Sequence, residues 1–209
     1  MYTGDPERDG GMLQPPEGRE WDVLIDAIDD VPTKANLISY CAKNNIRVIS
    51  CMGAGGKAGA FVRHEQLQSR TIYTILKSAV SDPTRIHISD LRSASRDPLA
   101  TAVRQKLRLM GKKEAKISGK KITNGSGVAN GGWLSCLDDD SKLSVVFSSE
   151  KVVCKLAAIT DEQKEEGMQN FGAVDNMRVR VLPVLGTMPA LMGQALAAVA
   201  VSLLDYACV

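Results

Sequence analysis

No CxxC pair occurs among the five cysteines, Cys41, Cys51, Cys136, Cys154 and Cys208, so no two thiolates stand at the spacing of a structural zinc site. Their odd number and scatter fit free thiols in a reducing compartment better than a disulfide framework. The two histidines, His64 and His87, are far apart and repeat no ligand pattern, which removes a histidine-based metal centre; His87, inside a strand pattern, reads as structural. Net charge is nearly absent as well: at +2 the Lys/Arg and Asp/Glu contents almost cancel, and charge alone gives no argument for a nucleic-acid partner. The first twenty residues, MYTGDPERDGGMLQPPEGRE, have no apolar core, which excludes a secretory signal or helical transit peptide and leaves a disordered lead-in over 1–20. No internal repeat is found.

What remains is a chain of 209 residues with 44% hydrophobic content, enough for one sizeable core. We therefore expect a single domain over 21–209. From Asp22 the run DVLIDAID is short, apolar and β-branched, which predicts a strand buried on both faces of a parallel sheet. Pro32 suits a first helical turn. Leu37, Ile38, Cys41 and Ala42 then follow at helical spacing, until Asn44-Asn45 stops the helix. IRVISC is a second strand of the buried type. Strand, helix and strand within about thirty residues make a βαβ unit, and the fold class is α/β.

Farther on, EQLQSRTIYTILKSAV places Ile72, Ile75, Leu76 and Ala79 on one helical face, and Asp82-Pro83 ends that helix. TRIHISDL alternates like a strand, and Asp97-Pro98 opens a basic amphipathic helix in DPLATAVRQKLRLM. From Gly111 to Asp140 Lys, Gly, Asn, Ser and Asp dominate, which predicts a flexible loop or lid over 111–140. KLSVVFSSE and MRVRVLPVLG read as two more strands, Pro183 limiting the second to an edge. The stretch from Val184 to Leu204 has no charged residue and holds Gly193 and Ala197 at small-xxx-small spacing. A membrane span and a fully buried core helix both meet that description, and with Pro189 and its many alanines the core helix is the expectation.

Two motifs carry chemistry. Asp26-Ala27-Ile28-Asp29-Asp30 ends the first strand, where open parallel sheets place their ligands, and carboxylates there suit Mg²⁺ on a nucleotide triphosphate. The alternative is that Asp30 caps the next helix. The second motif is Cys51-Met52-Gly53-Ala54-Gly55-Gly56-Lys57. As a Walker loop it fails, because two residues rather than four separate Gly53 from Gly56-Lys57, and Ala58 replaces the required Ser or Thr. It lacks the dinucleotide fingerprint too, so by pattern it is a tight turn at the sheet's binding edge. Cys51 is either a nucleophile, were Lys57 or a helix N-terminus to lower its pKa, or a buried structural thiol.

Five segments in order, DVLIDAIDDVPTKANLISYC, VISCMGAGGK, DPTRIHISDL, VVFSSEK and RVRVLPVLGTMPALMGQALA, resemble the tRNA threonylcarbamoyladenosine dehydratases of the ThiF/MoeB branch of the ubiquitin-activating-enzyme-like superfamily. The match runs over most of Trp21 to Ala198. The resemblance implies a Rossmann-like adenylation fold, of which this chain holds the C-terminal portion, and an ATP-dependent enzyme acting on tRNA. Such an enzyme adenylates the carboxylate of a threonylcarbamoyl group and then cyclises it, expelling AMP. The resemblance also makes Asp29 the metal-associated and catalytic aspartate, with Asp30 beside it. Cys51 becomes a candidate catalytic residue, while Gly53, Gly55, Gly56 and Lys57 wall the adenylate pocket. Lys34, Arg85, Arg104 and Arg108 are implied as candidate phosphate or tRNA contacts. ATP, Mg²⁺, a homodimer and a place at the mitochondrial outer membrane, otherwise the cytoplasm, are further expectations.

Two departures from the family pattern are expected to matter. The family's glycine-rich nucleotide turn, ribose-reading acid, arginine and lysine precede the strand that matches Asp26, and this chain begins after them, so a truncated form is expected. Residues 58–81 intervene where relatives run almost directly into Asp82-Pro83-Thr84-Arg85, and read as an insertion of translated intron or mis-assigned gene sequence. An enzyme adenylating a ubiquitin-like or sulfur-carrier protein is the rival enzyme class, disfavoured by the missing CxxC pairs. A non-catalytic remnant that dimerises through its C-terminal helix is the third reading.

Overall fold

The computed structural model describes residues 13–15, 17, 19–58, 85–117, 139, 141–152, 161, 165, 184 and 187–205. Its elements in chain order are β1 (Leu24–Asp26), α1 (Val31–Lys43), β2 (Val48–Cys51), β3 (Lys57–Ala58), β4 (Ile86–Asp90), α2 (Pro98–Ile117), β5 (Leu143–Ser148), β6 (Lys151–Val152) and α3 (Thr187–Asp205). Four strands form one sheet in the order β1-β2-β5-β4, and β3 pairs with β6 in a separate ribbon. The pairs β1 with β2 and β2 with β5 are parallel, while β4 runs antiparallel to β5. The β1-α1-β2 crossover is the predicted βαβ unit, and the α/β class stands.

Local chemistry explains α1. Asp30 has extended backbone and accepts hydrogen bonds from the Thr33 amide at 2.9 Å and the Thr33 hydroxyl at 2.6 Å, which makes it the N-cap. At the other end the Asn44 side-chain amide donates to the Tyr40 carbonyl at 2.8 Å, and Asn45 turns the chain away with φ 56. Ala35, Leu37, Ile38 and Cys41 are buried against Val48, Leu143 and Val145 and against Val103 and Leu107 of α2, forming the core on one face of the sheet. On the other face Ile49 of β2 and Val146 of β5 meet Met188, Met192, Leu196 and Ala200 of α3. Successive strand residues point to opposite faces, so adjacent Val48 and Ile49 serve different cores.

Three expectations need correction. The first strand is not buried on both faces: Ile25 is 51% exposed, because β1 is the sheet's edge among the described residues and α3 packs over β2 and β5. The presumed loop beginning at Gly111 is helical through Ile117. Lys112, Lys113, Glu114, Ala115 and Lys116 are good helix formers, Met110 packs on the core, and Lys43 of α1 reaches Glu114 at 2.7 Å. Residues 118–138 of that expected loop lie outside the described residues, as do nearly all of 58–81, the helix expected over EQLQSRTIYTILKSAV, and the strand MRVRVLPVLG. Finally, α3 is a core helix along one stripe only; Val201 is 57% exposed on its outer side. It is long and apolar enough to cross a membrane by length and composition.

Candidate functional site at the carboxyl edge of the sheet

Parallel strands deliver their carboxyl ends to one edge, and this edge collects both sequence motifs. Asp26 closes β1 and is buried. One carboxylate oxygen accepts from the Ile28 amide at 2.9 Å, which folds the chain into the turn carrying Asp29. The other accepts from the Lys34 ammonium and from the Ser50 hydroxyl, both at 2.6 Å. Lys34 also donates to the Ser50 hydroxyl oxygen at 3.0 Å and to the Cys51 carbonyl at 2.9 Å. An ammonium has three donors, and all of them are used here. Lys34 is fully buried, so it stands inside the protein and not at a surface where phosphate or tRNA would meet it.

Asp29 is exposed on the turn, and Asp30 is partly buried as the cap of α1. One carboxylate of the acidic motif thus caps the helix, and its neighbour faces solvent. The glycine motif leaves β2 at Cys51 and ends at Lys57, the first residue of β3, which pairs with Val152 of β6. Within it Gly56 has φ 68, a left-handed conformation that a side chain would strain. A Cβ built on Gly53 would lie 3.5 Å from both carboxylate oxygens of Asp97. Asp97 is itself buried and caps α2, accepting from the Ala100 amide at 2.9 Å. Both helices that cover this face therefore begin at the same edge as the glycine loop, and their N-terminal dipole ends favour an anion there.

Cys51 is partly buried, and its thiol donates to the Met52 carbonyl at 3.6 Å. Burial pushes the thiol's pKa up; Lys34 acts against this, and Asp26, Asp97 and Asp29 reinforce it. The shift runs away from the thiolate that the nucleophile reading needs. Buried Cys41 is pushed up to about 12, chiefly by desolvation. Both thiols should therefore alkylate more slowly with iodoacetamide at pH 7.5 than an unstructured cysteine peptide, with rates that rise only in alkaline solution. Peptide mapping by mass spectrometry checks this, and Cys51 reacting as fast as the peptide would contradict it.

Beside the glycine loop lies an open cleft of about 570 Å³ between the first turns of α2 and β6, with Arg96, Thr101, Gln105 and Lys151 among its lining residues. Arg96 is held at φ 59, an uncommon conformation for a non-glycine residue. A smaller hollow of about 180 Å³, lined by Asn45, Arg47 and Lys142, sits at the amino ends of β2 and β5, away from both motifs.

The remaining candidates are placed elsewhere. Arg104 donates to the carbonyls of Leu91, Arg92 and Ala94 at 3.1, 2.7 and 2.8 Å, so it braces the turn before α2 and is not a free phosphate contact. Arg108 is exposed on α2, and Arg85 directly precedes β4 with its carbonyl accepting from the Ser149 amide at 3.0 Å. His87 pairs with the Ser149 hydroxyl at 2.9 Å and lies against Phe147, consistent with its structural reading; His64 lies outside the described residues. Sequence reading missed Ser50 and the buried Glu150, which stands just past the carboxyl end of β5. A polar residue within an apolar strand, as Ser50 is in IRVISC, was the available signal.

No protein-family model matches the chain. Over 176 residues it is 34% identical to tRNA threonylcarbamoyladenosine dehydratase 2 of Saccharomyces cerevisiae, covering 82% of this chain and 28% of that protein. A tRNA threonylcarbamoyladenosine dehydratase of Haemophilus influenzae is 41% identical over 90 residues, 43% of this chain and 26% of that protein. The crystal structure of Escherichia coli tRNA N6-threonylcarbamoyladenosine dehydratase, TcdA, shares the fold with a TM-score of 0.52 and 21% identity, covering 99% of this chain and 56% of that one. The same E. coli protein has been solved in complex with AMP and with ATP. The chain spans about a quarter of the length of these two curated relatives.

Proposed function

We propose that this chain, a relative of the tRNA threonylcarbamoyladenosine dehydratases, carries one side of a site where the threonylcarbamoyl group on an adenosine next to the tRNA anticodon is activated by ATP and cyclised. The observation that carries this reading is the meeting of the Asp29 turn, the glycine loop and two helix N-termini at one sheet edge, the turn, the loop and the start of α1 lying within segments that carry the resemblance. In the proposed reaction an oxygen of the substrate carboxylate attacks the α-phosphorus of ATP and pyrophosphate leaves. The substrate's own carbamoyl group then attacks the activated acyl carbon, and AMP leaves with the carboxylate oxygen, so the net change in the substrate is loss of water.

The residues fit parts of that chemistry. The backbone of Gly53, Gly55 and Gly56 would approach the adenylate, with Lys57 following, and the N-termini of α1 and α2 favour the phosphate charge. Asp29, exposed and oriented by the turn that Asp26 holds, would be the metal-associated carboxylate. Among the described residues no group of three acidic, histidine or cysteine side chains could cage a metal. Mg²⁺ is commonly held through one or two carboxylates together with nucleotide phosphates and water. When bound, Mg²⁺ neutralises phosphate charge. Lys34 and Asp30 support the site from beneath, while Cys51 stays at its margin as a thiol whose pKa burial raises.

The cleft lined by Arg96, Gln105 and Lys151 adjoins the glycine loop and supports entry of the nucleotide substrate from that side. The exposed outer side of α3 supports pairing with a second copy or attachment at the mitochondrial outer membrane. The curated relatives described above are both named dehydratases, which favours this reading over an enzyme that adenylates a ubiquitin-like or sulfur-carrier protein.

Calorimetry with ATP and Mg²⁺ tests the proposal. Micromolar binding is expected, with Asp29→Asn weakening it by about tenfold through loss of one charge-assisted contact. No binding at millimolar ATP would sink the enzyme reading for this chain and leave the non-catalytic remnant.

A further inference from the structure

The carboxyl edge has two arms that come from different strands: the Asp29 turn after β1 and the glycine loop after β2. A single buried side chain touches the roots of both. We propose that Lys34 is the positioning residue that locks these two arms in one relative arrangement, and so couples the metal-associated turn to the glycine loop; the consequence for nucleotide binding rests on the function proposed above, while the lock itself does not.

The connections are short and few. Lys34 donates to Asp26 at 2.6 Å, and the other oxygen of that carboxylate receives the Ile28 amide at 2.9 Å, the hydrogen bond that shapes the Asp29 turn. The same ammonium donates at 2.9 Å to the carbonyl of Cys51, the peptide that starts the glycine loop. Ser50 closes the triangle, giving a hydrogen bond to Asp26 at 2.6 Å and taking one from Lys34 at 3.0 Å. Asp26, Lys34 and Ser50 are all buried, so water does not stand ready to replace a lost partner. If the Cys51 peptide rotated, an ammonium donor would be left unpaired in a dry site, which is far less favourable than losing a hydrogen bond at the surface. The loop is thereby held by a charge, and that charge is held by the carboxylate that sets the other arm. An apolar residue of similar length would fill the volume, but it would leave the Cys51 carbonyl without its donor.

This role separates from ordinary stabilisation in one experiment. Hydrogen exchange followed by mass spectrometry, without ligand, reads the amides of residues 27–30 and 51–56 in the wild type, in Ser50→Ala and in Asp26→Asn/Lys34→Met. The double variant leaves no unpaired charge and keeps an acceptor for the Ile28 amide. Exchange in both arms is expected to rise together, roughly tenfold or more, while residues 143–148 of the central strand keep wild-type protection. Ser50→Ala removes one neutral partner and leaves the Lys34 bonds to Asp26 and the Cys51 carbonyl, so a smaller rise in both arms together is expected, which keeps the lock testable should the double variant fail to fold. Loosening of only one arm, or of neither in a folded variant, would overturn the lock. ATP affinity measured with Mg²⁺ on the same samples is expected to fall about tenfold in the double variant, even where its denaturation midpoint matches the wild type. Recovery of midpoint, exchange and affinity together would show that the three residues only stabilise the core. A wild type that binds no ATP would defeat the proposed function and leave the exchange comparison to decide the lock.

Discussion

Lys34→Met is expected to lower the free energy of unfolding by about 3–5 kcal/mol, the cost of leaving one charge of a buried ion pair without its partner. The geometry places the effect at the upper end for a single substitution. Both side chains of the pair are fully buried, and the N–O distance is 2.6 Å. After the change, the Asp26 carboxylate would keep only the Ser50 hydroxyl and the Ile28 amide. A domain whose total stability is about 5–15 kcal/mol loses a large fraction of it by such a step. The urea midpoint at pH 7 measures this, and a midpoint close to wild type would mean that water reaches Asp26 when the ammonium is gone. Asp26→Asn/Lys34→Met should recover most of the loss, because the desolvation of two charges offsets much of their attraction in the native protein. The buried pair therefore has more to do with arrangement than with net stability.

The second large effect concerns α3. Met192→Ala is expected to destabilise by about 2–5 kcal/mol, since Met192 is buried between the helix and the sheet face carrying Ile49 and Val146, and truncation would leave a cavity. Val201→Ser, on the exposed outer side of the same helix, should change stability by no more than about 0.5 kcal/mol in the isolated chain. Urea denaturation of the two variants gives the comparison directly. Equal sensitivity at both positions would mean that the outer side is also covered in solution. Were that side to meet a membrane or a second copy, Val201→Ser would weaken association without affecting the fold.

The fold was legible where neighbours in the chain make the decision. Asp30 caps α1 through Thr33, three residues away, and Asn44 and Asn45 end it through local backbone geometry. The same is true of Asp97 at the start of α2. The site was legible as a place and less so as a set of roles. The acidic turn and the glycine loop fall on the predicted edge, yet nothing in the motif spacing distinguishes a buried lysine from an exposed one. Arg104 shows the same difficulty: on an amphipathic basic helix it looks available, but three carbonyls of the preceding turn take its guanidinium. Cys51 looked like a thiol that Lys57 could activate, and the groups that govern it are burial, Lys34 and three aspartates drawn from β1, its following turn and the start of α2.

By itself the sequence determined the βαβ unit, the ends of α1, the start of α2, the two central strands β2 and β5, and the resemblance to the dehydratases. All of these rest on periodicity, local hydrogen bonding or residue order. Only the tertiary structure decided that Lys34 turns inward, that Ile25 stays exposed on an edge strand, and that α3 buries one stripe and leaves the other open. Those outcomes depend on what residues 8, 16 and 17 positions away bring to the same buried point, as Lys34 does with Asp26, Ser50 and Cys51. A charge enters the interior only when such partners have already been assembled around it, and their assembly is a property of the folded sheet.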